Sequence, residues 1–460
     1  MTPSVERWAA RTPDRVAVVA AGAELTYSDL AEHVRGAMRR LQDAGARQGD
    51  RVAVVATHCL DTVATIAAVM ELGATVVPLH ARLTQAETER VVSDVRPRLI
   101  VGPDGRIARR DAPSHHSGDL AILYTSGSTG APRGMRLSSG AFAAAAAMSA
   151  ENLGWRDDDR WLLCMTLAHV GGLSVLVRCL IAGACVVMPE LPATGGIVAS
   201  SGAIVRSIVR DRVTLASLVP TTLEAVMESA AGARASGALR AVLVGGARAP
   251  QALVERACAL GWPLLRTYGM TEACSQIATQ PLRDAGLAID DCGPALPGIE
   301  LRAREDGSLG VRSPAIASGI VGSSDAVTDE TGWCWTGDVG RVDARGRLHV
   351  LGRRTEMIVT GGENVWPAEV ERVLESLPGV ASARVVGLAD RRWGEVIGAV
   401  VITAGESLAS DRVAAMASER LAPHRRPRRW VLVAGPIASA GEKLTRACAR
   451  ALLETRGTTS

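Results

Sequence analysis

The stretch YTSGSTGAPRGM, Tyr124 to Met135, places five hydroxyl side chains, three glycines and one arginine in twelve residues, directly after the apolar run LAIL. That order reads as a strand opening into a loop free of large side chains. Glycines let backbone N–H groups turn inward and approach an anion closely. Thr125, Ser126, Ser128 and Thr129 add hydroxyl donors, Gly127 and Gly130 keep the backbone slim, and Arg133 adds positive charge. This is the chemistry of a phosphate cradle. It is not a Walker A loop, because G-x-x-x-x-G-K-[ST] is absent.

Two scarcities single out further residues. The chain has 50 arginines but one lysine, Lys443, in GPIASAGEKLTRACAR. It has three tyrosines, and one of them, Tyr268, stands in the polar block TYGMTEACSQ. A compact ammonium on a flexible stem fits between two oxygens where a planar guanidinium fits poorly. Asp338 in WTGDVGRVDARGRLHVLGRR suits a vicinal diol, since both hydroxyls can donate to one carboxylate.

Taken in order along the chain, these blocks resemble the adenylate-forming superfamily: acyl-CoA synthetases, peptide-synthetase adenylation domains and luciferases. The resemblance spans most of the sequence and carries roles with it. The 125–133 loop closes over the β- and γ-phosphates of ATP, with Arg133 where relatives usually carry lysine. Gly245, Gly246 and Ala247 of LVGGARAP lie along adenine and the acyl pocket. Tyr268 and Gly269 flank the adenine, Thr271 contacts the α-phosphate, and Glu272 holds Mg²⁺, a cation that prefers hard oxygen ligands. Asp338 and Arg353 bind the ribose. Lys443 reaches the substrate carboxylate and the α-phosphate, so that two anions can meet. Thr355 falls on the hinge, and Gly361 and Gly362 of VTGGENVWPAEVE line the channel for coenzyme A. The implied reaction is acyl-adenylate formation followed by transfer to a thiol.

LAHVGGLSVLVRCLIAGACVV (Leu167 to Val187) falls where that family lines its acyl pocket. It is similar to the o-succinylbenzoate–CoA ligase branch, as are TYGMTEACSQIAT and GGENVWPAEVE. The acid of that branch is a small aromatic compound with two carboxylates. The resemblance makes His169 the gate by the activated carboxylate, and adds Gly246 and Ser275 to the pocket. Arg178 is the candidate partner for the second carboxylate, which needs a donor if buried. Another aryl- or acyl-CoA ligase, for a benzoate- or anthranilate-like acid, is the alternative reading. A nucleotide-binding homologue that no longer catalyses is a third.

The elements that must hold these residues follow from apolar spacing. RVAVVA, LDTVATIAAVMELGA and TVVPL read as strand, helix, strand, and the order recurs at ACVVM, VTLASLV and ALRAVLVGG. Such alternation predicts layered α/β architecture with largely parallel sheets. AFAAAAAMSAENLG is helix-prone. Beyond residue 300, short strands with Gly and Asp turns predict a small β part, barrel-like in the family. The organisation expected is an N-terminal AMP-binding domain over 1–352, a hinge over 353–355 and a mobile α+β lid over 356–460.

Composition bounds the rest. A net charge of +3 over 460 residues points to neither a nucleic-acid nor a membrane-surface partner. The first fifteen residues lack a signal-peptide pattern, and no apolar run approaches the roughly 20 residues of a bilayer span. Nine scattered cysteines without a C-x-x-C pair read as reduced thiols of a cytoplasmic protein. The sequence leaves the oligomeric state open, a homodimer included.

Overall fold

The computed structural model describes residues 2–112, 118–125, 132–191, 200–232, 234–403, 409–434 and 444–459. Two sheets organise the first 320 residues. One has eight strands in the order Ser275–Thr279, Leu264–Met270, Ala241–Val244, Leu215–Leu218, Arg160–Leu162, Cys185–Met188, Val16–Ala20 and Ala23–Thr26. Its interior pairings are parallel and its two edge pairings antiparallel. The other has seven strands, with Arg51–Ala56 between Thr75–His80 and Leu99–Val101, and Asp119–Thr125 beside Arg133–Ser138.

Four helices fill the space between the sheets: Tyr27–Asp43, Leu60–Glu71, Ser139–Leu153 and Val170–Ala182. Their composition explains that place. Thr62 through Met70 are buried without a break, so the second helix has no solvent face. A helix apolar on all sides belongs inside. Val170–Ala182 is similar, buried from Gly172 through Leu180. The amphipathic helices Ser201–Arg210, Pro220–Ser229 and Gln251–Ala259 cover the outer face of the eight-stranded sheet, and Gln85–Val95 covers the seven-stranded one.

The small β part predicted after residue 300 is an antiparallel sheet of four strands, Glu300–Ala303, Ser308–Arg312, Cys334–Val342 and Leu348–Arg353. Past a short turn at Arg354–Glu356, a six-stranded sheet carries Pro367–Glu375 and Ser410–Arg420 on one face and Arg446–Arg456 on the other. This C-terminal unit has cores of its own. Two ion pairs tie its first helix to the preceding residues: Arg248 to Glu375 at 3.0 Å and Arg372 to Asp290 at 2.8 Å.

One histidine makes the α/β part sensitive to acid. His58 precedes helix Leu60–Glu71, and its Nε2 is buried without a partner among the described residues. Burial disfavours the imidazolium and pulls the pKa from 6.5 down to about 4. Between those values the unfolded chain binds a proton that the folded chain refuses. Stability therefore rises with pH across that window and is lost on acidification. The expected loss between pH 7 and pH 4 is on the order of 3 kcal/mol. Thermal melts across this range should be less steep in pH for His58→Gln than for the parent.

Candidate active site

Tyr268, Asp338 and Arg353 converge although they come from two sheets. Tyr268 lies near the C-terminal end of strand Leu264–Met270 and donates its hydroxyl to Asp338 Oδ2 at 2.6 Å. Asp338 and Arg353 are direct cross-strand partners, with Arg353 Nε 2.9 Å from Oδ1. The carboxyl is 7% exposed. Burial raises its pKa, while the Tyr268 hydrogen bond and the Arg353 charge pull it back. Burial likewise raises Tyr268, which keeps the phenol a donor. Each carboxylate oxygen still has a lone pair for a further hydroxyl.

Parallel register brings the glycine turn alongside. Val244 pairs with Arg266, so Gly245, Gly246 and Ala247 leave their strand beside Thr267 and Tyr268. A Cβ at Gly245 would meet Thr267 Cγ2 at 2.7 Å. Gly246 has φ +75°, a left-handed conformation that favours glycine.

The hairpin after Tyr268 is tight. Thr271 and Glu272 sit in a single 3₁₀ turn and are half-buried. Cys274 (φ 53°) and Ser275 (φ 100°) follow, two consecutive non-glycine residues with positive φ. Strain of this kind collects at functional sites. It aims the Ser275 carbonyl at Gly269, where a Cβ would lie 1.8 Å from that oxygen. The Glu272 carboxylate makes no ion pair or hydrogen bond among the described residues, so its oxygens are open to a hard cation.

Both ends of the phosphate-type loop reach one cavity. Thr125 and Arg133 are register partners across the hairpin. They line a cavity of about 990 Å³ together with His80, Asp94, Tyr124 and His169. Ser126, Gly127, Ser128, Thr129 and Gly130 lie outside the described residues. His169 caps the N-terminus of helix Val170–Ala182, its ring centroid 5.6 Å from that of His80. Burial against the cavity walls lowers the pKa of both imidazoles, and at His80 the neighbouring His169 adds to the effect. The His80 Nδ1 accepts the Arg82 N–H at 3.1 Å. His80 and Tyr124 were not among the residues expected here. Tyrosine scarcity was the one signal for Tyr124, whose hydroxyl donates to Asp94.

Nine residues along the same helix, ~13 Å at 1.5 Å per residue, Arg178 is 4% exposed. Its Nε and Nη2 have no hydrogen-bond partner among the described residues, and the guanidinium lies 5.6 Å from the Trp161 ring centroid. Burial pushes its pKa down to about 10, which leaves it charged at neutral pH. Nε and Nη2 form one edge of the planar fork, the edge that matches a carboxylate with two parallel hydrogen bonds.

At the chain's other end, Arg354 bonds Ser308 and Asp306 of the four-stranded sheet, while Glu356 pairs with Arg446 of the last helix. Thr355 is exposed between these two anchors. Gly361 and Gly362 turn the hairpin between Ile358–Thr360 and Glu363–Val365, with φ of 59° and 86°. A Cβ on Gly361 would press on the Trp393 ring at 2.7 Å. Lys443 lies outside the described residues.

The chain matches the AMP-binding enzyme family over residues 5–119 and 104–320, and the AMP-binding enzyme C-terminal domain over 369–439. It is 32% identical to the 2-succinylbenzoate–CoA ligase of Bacillus cereus strain Q1, over 96% of this chain and 97% of that one. Among solved structures it resembles the o-succinylbenzoate CoA synthetase of Bacillus subtilis. The complex with the acyl-adenylate intermediate superposes with a TM-score of 0.82 at 28% identity, covering 94% of each chain. The complex with ATP and magnesium ion gives 0.81 at 29%, covering 94% of this chain and 96% of that one.

Proposed function

The chain belongs to the AMP-binding enzyme family, and from that premise we propose that it is an ATP-dependent 2-succinylbenzoate–CoA ligase. The observation that carries the choice of acid is Arg178: a buried cation whose carboxylate-matching edge is unpaired. An unpaired buried charge is costly, and a substrate carboxylate relieves it. The two carboxylates of 2-succinylbenzoate then divide between the two ends of one helix. One lies near His169 for activation, and the other reaches Arg178.

In the first half-reaction one carboxylate of the acid attacks the α-phosphorus of ATP and pyrophosphate leaves. Tyr268 and the Gly245–Ala247 turn border the adenine, and Asp338 with Arg353 holds the ribose. Thr125, Arg133 and the loop between them embrace the departing phosphates. Thr271 contacts the α-phosphate, and Lys443 neutralises both anions as they meet. Glu272 would hold Mg²⁺, which supplies positive charge to the phosphates. In the second half-reaction the thiol of coenzyme A displaces AMP. The lid beyond Thr355 turns between the two, absorbing the rotation at one exposed residue between two anchored neighbours, and brings Gly361 and Gly362 to the thiol's path. Nine free cysteines support placing the enzyme in the cytoplasm.

Purified protein given ATP and coenzyme A with 2-succinylbenzoate, benzoate or anthranilate should release pyrophosphate fastest with the first. Turnover of the benzoates with none of 2-succinylbenzoate would overturn the assignment.

A further inference from the structure

Arg178 is not the only buried group left unsatisfied in this region. Ser149 Oγ on helix Ser139–Leu153, Ser174 Oγ on Val170–Ala182 and Gln276 Oε1 on strand Ser275–Thr279 have no partner either among the described residues. Ser149 and Ser174 are 2% exposed and Gln276 5%. The three elements pack on one another, and Arg178 lies near the buried thiol of Cys274, next to that strand. Protein interiors pair nearly all such groups, so several orphans on mutually packed elements indicate a place for a polar molecule.

Ser174 has the position to read that molecule. Residues four apart on a helix share a face, ~6 Å apart along the axis. Ser174 therefore stands one turn from Arg178, on the side toward His169. Gln276 commits its Nε2 to Thr279 Oγ1 at 2.8 Å and to Thr267 Oγ1 at 3.5 Å, and keeps only an acceptor. The serine hydroxyl has a free proton to give. Along the helix axis Ser174 lies between His169 and Arg178, the two residues proposed to hold the ends of the acid.

We propose that Ser174 donates a hydrogen bond to the ketone oxygen that joins the substrate's succinyl chain to its ring. The pocket thereby selects a 4-oxo diacid over the same chain with a methylene in place of the carbonyl. This rests on the reading above, in which Arg178 holds the far carboxylate.

The test compares 2-succinylbenzoate with 2-(3-carboxypropyl)benzoate, its methylene analogue, on the full enzyme, Ser174→Ala and Ser149→Ala, following pyrophosphate release. The parent should prefer the keto acid about tenfold or more in kcat/KM. Ser174→Ala should lose about fivefold to tenfold on the keto acid and nothing on the analogue, so the preference collapses. Its melting temperature without substrate should stay level or rise, since an unpartnered hydroxyl has been removed. Equal loss on both acids, no loss on either, or collapse of the preference in Ser149→Ala alone would overturn the role of Ser174 and leave the ligase reading intact. A parent enzyme inert toward 2-succinylbenzoate overturns that reading and this inference together.

Discussion

Alanine at Lys443 should stop adenylate formation and spare thiol transfer. The first step brings a carboxylate against a triphosphate. Both are anions, and the proposed ammonium is what lets them approach in line. Loss of one group aimed at developing charge typically lowers kcat by about 10²–10³. Here the same group also offsets ground-state repulsion, so the loss should reach at least that range. Arg133 should not stand in, because the proposed mechanism puts it at the departing phosphates, the opposite end of the polyphosphate. The second step brings a thiol to a carbonyl carbon and sets no carboxylate against a triphosphate, so under the proposed mechanism acyl-adenylate supplied ready-made should react with coenzyme A within about threefold of the parent rate, a difference under 1 kcal/mol. Pyrophosphate release reads the first step, and acyl-adenylate consumption reads the second. Equal failure of both in a protein with a native circular dichroism spectrum would show that Lys443 does something else.

Methionine at Arg178 should move activity and stability in opposite directions. The buried cation has Nε and Nη2 unpaired among the described residues. Replacing it with an apolar side chain of similar length removes an uncompensated charge, so the substrate-free protein should melt at a higher temperature. With 2-succinylbenzoate the same change strands the far carboxylate in an apolar pocket. Truncating one partner of a buried, hydrogen-bonded charge pair costs about 2–5 kcal/mol, which corresponds to a loss of roughly 30-fold to 4,000-fold in kcat/KM. Benzoate, which lacks the second carboxylate, should be turned over no worse than by the parent. A drop in melting temperature together with equal losses on both acids would mark Arg178 as structural.

These outcomes depend on features of unequal legibility. The strand–helix alternation of the first half was readable because RVAVVA and TVVPL are short apolar runs and LDTVATIAAVMELGA is a long one. Each became the expected element, at Arg51–Ala56, Thr75–His80 and Leu60–Glu71. Tyr268, Asp338 and Arg353 were readable as a group from their motifs, and the structure joins them by hydrogen bond and ion pair. The burial of Arg178 was not. In sequence it could equally have faced solvent. Only the sandwiching of its helix between two sheets removes every solvent face.

His80 was missed for a related reason. Nothing near TVVPLH suggests a site, and its meeting with His169 depends on the end of one strand lying against the start of a helix from a distant part of the chain. The Arg248–Glu375 and Arg372–Asp290 pairs are equally silent, since each joins a residue of the C-terminal domain to one of the preceding domain.

The amino-acid sequence on its own determined which chemical groups this protein has to work with and the local elements that carry them. Side-chain type and the spacing of apolar residues are properties of neighbours along the chain. Tertiary structure decided which groups face each other, which cation is shut away from water and which polar atoms are left for a ligand. Those outcomes depend on layer order and strand register, and both are set by packing between segments far apart in sequence.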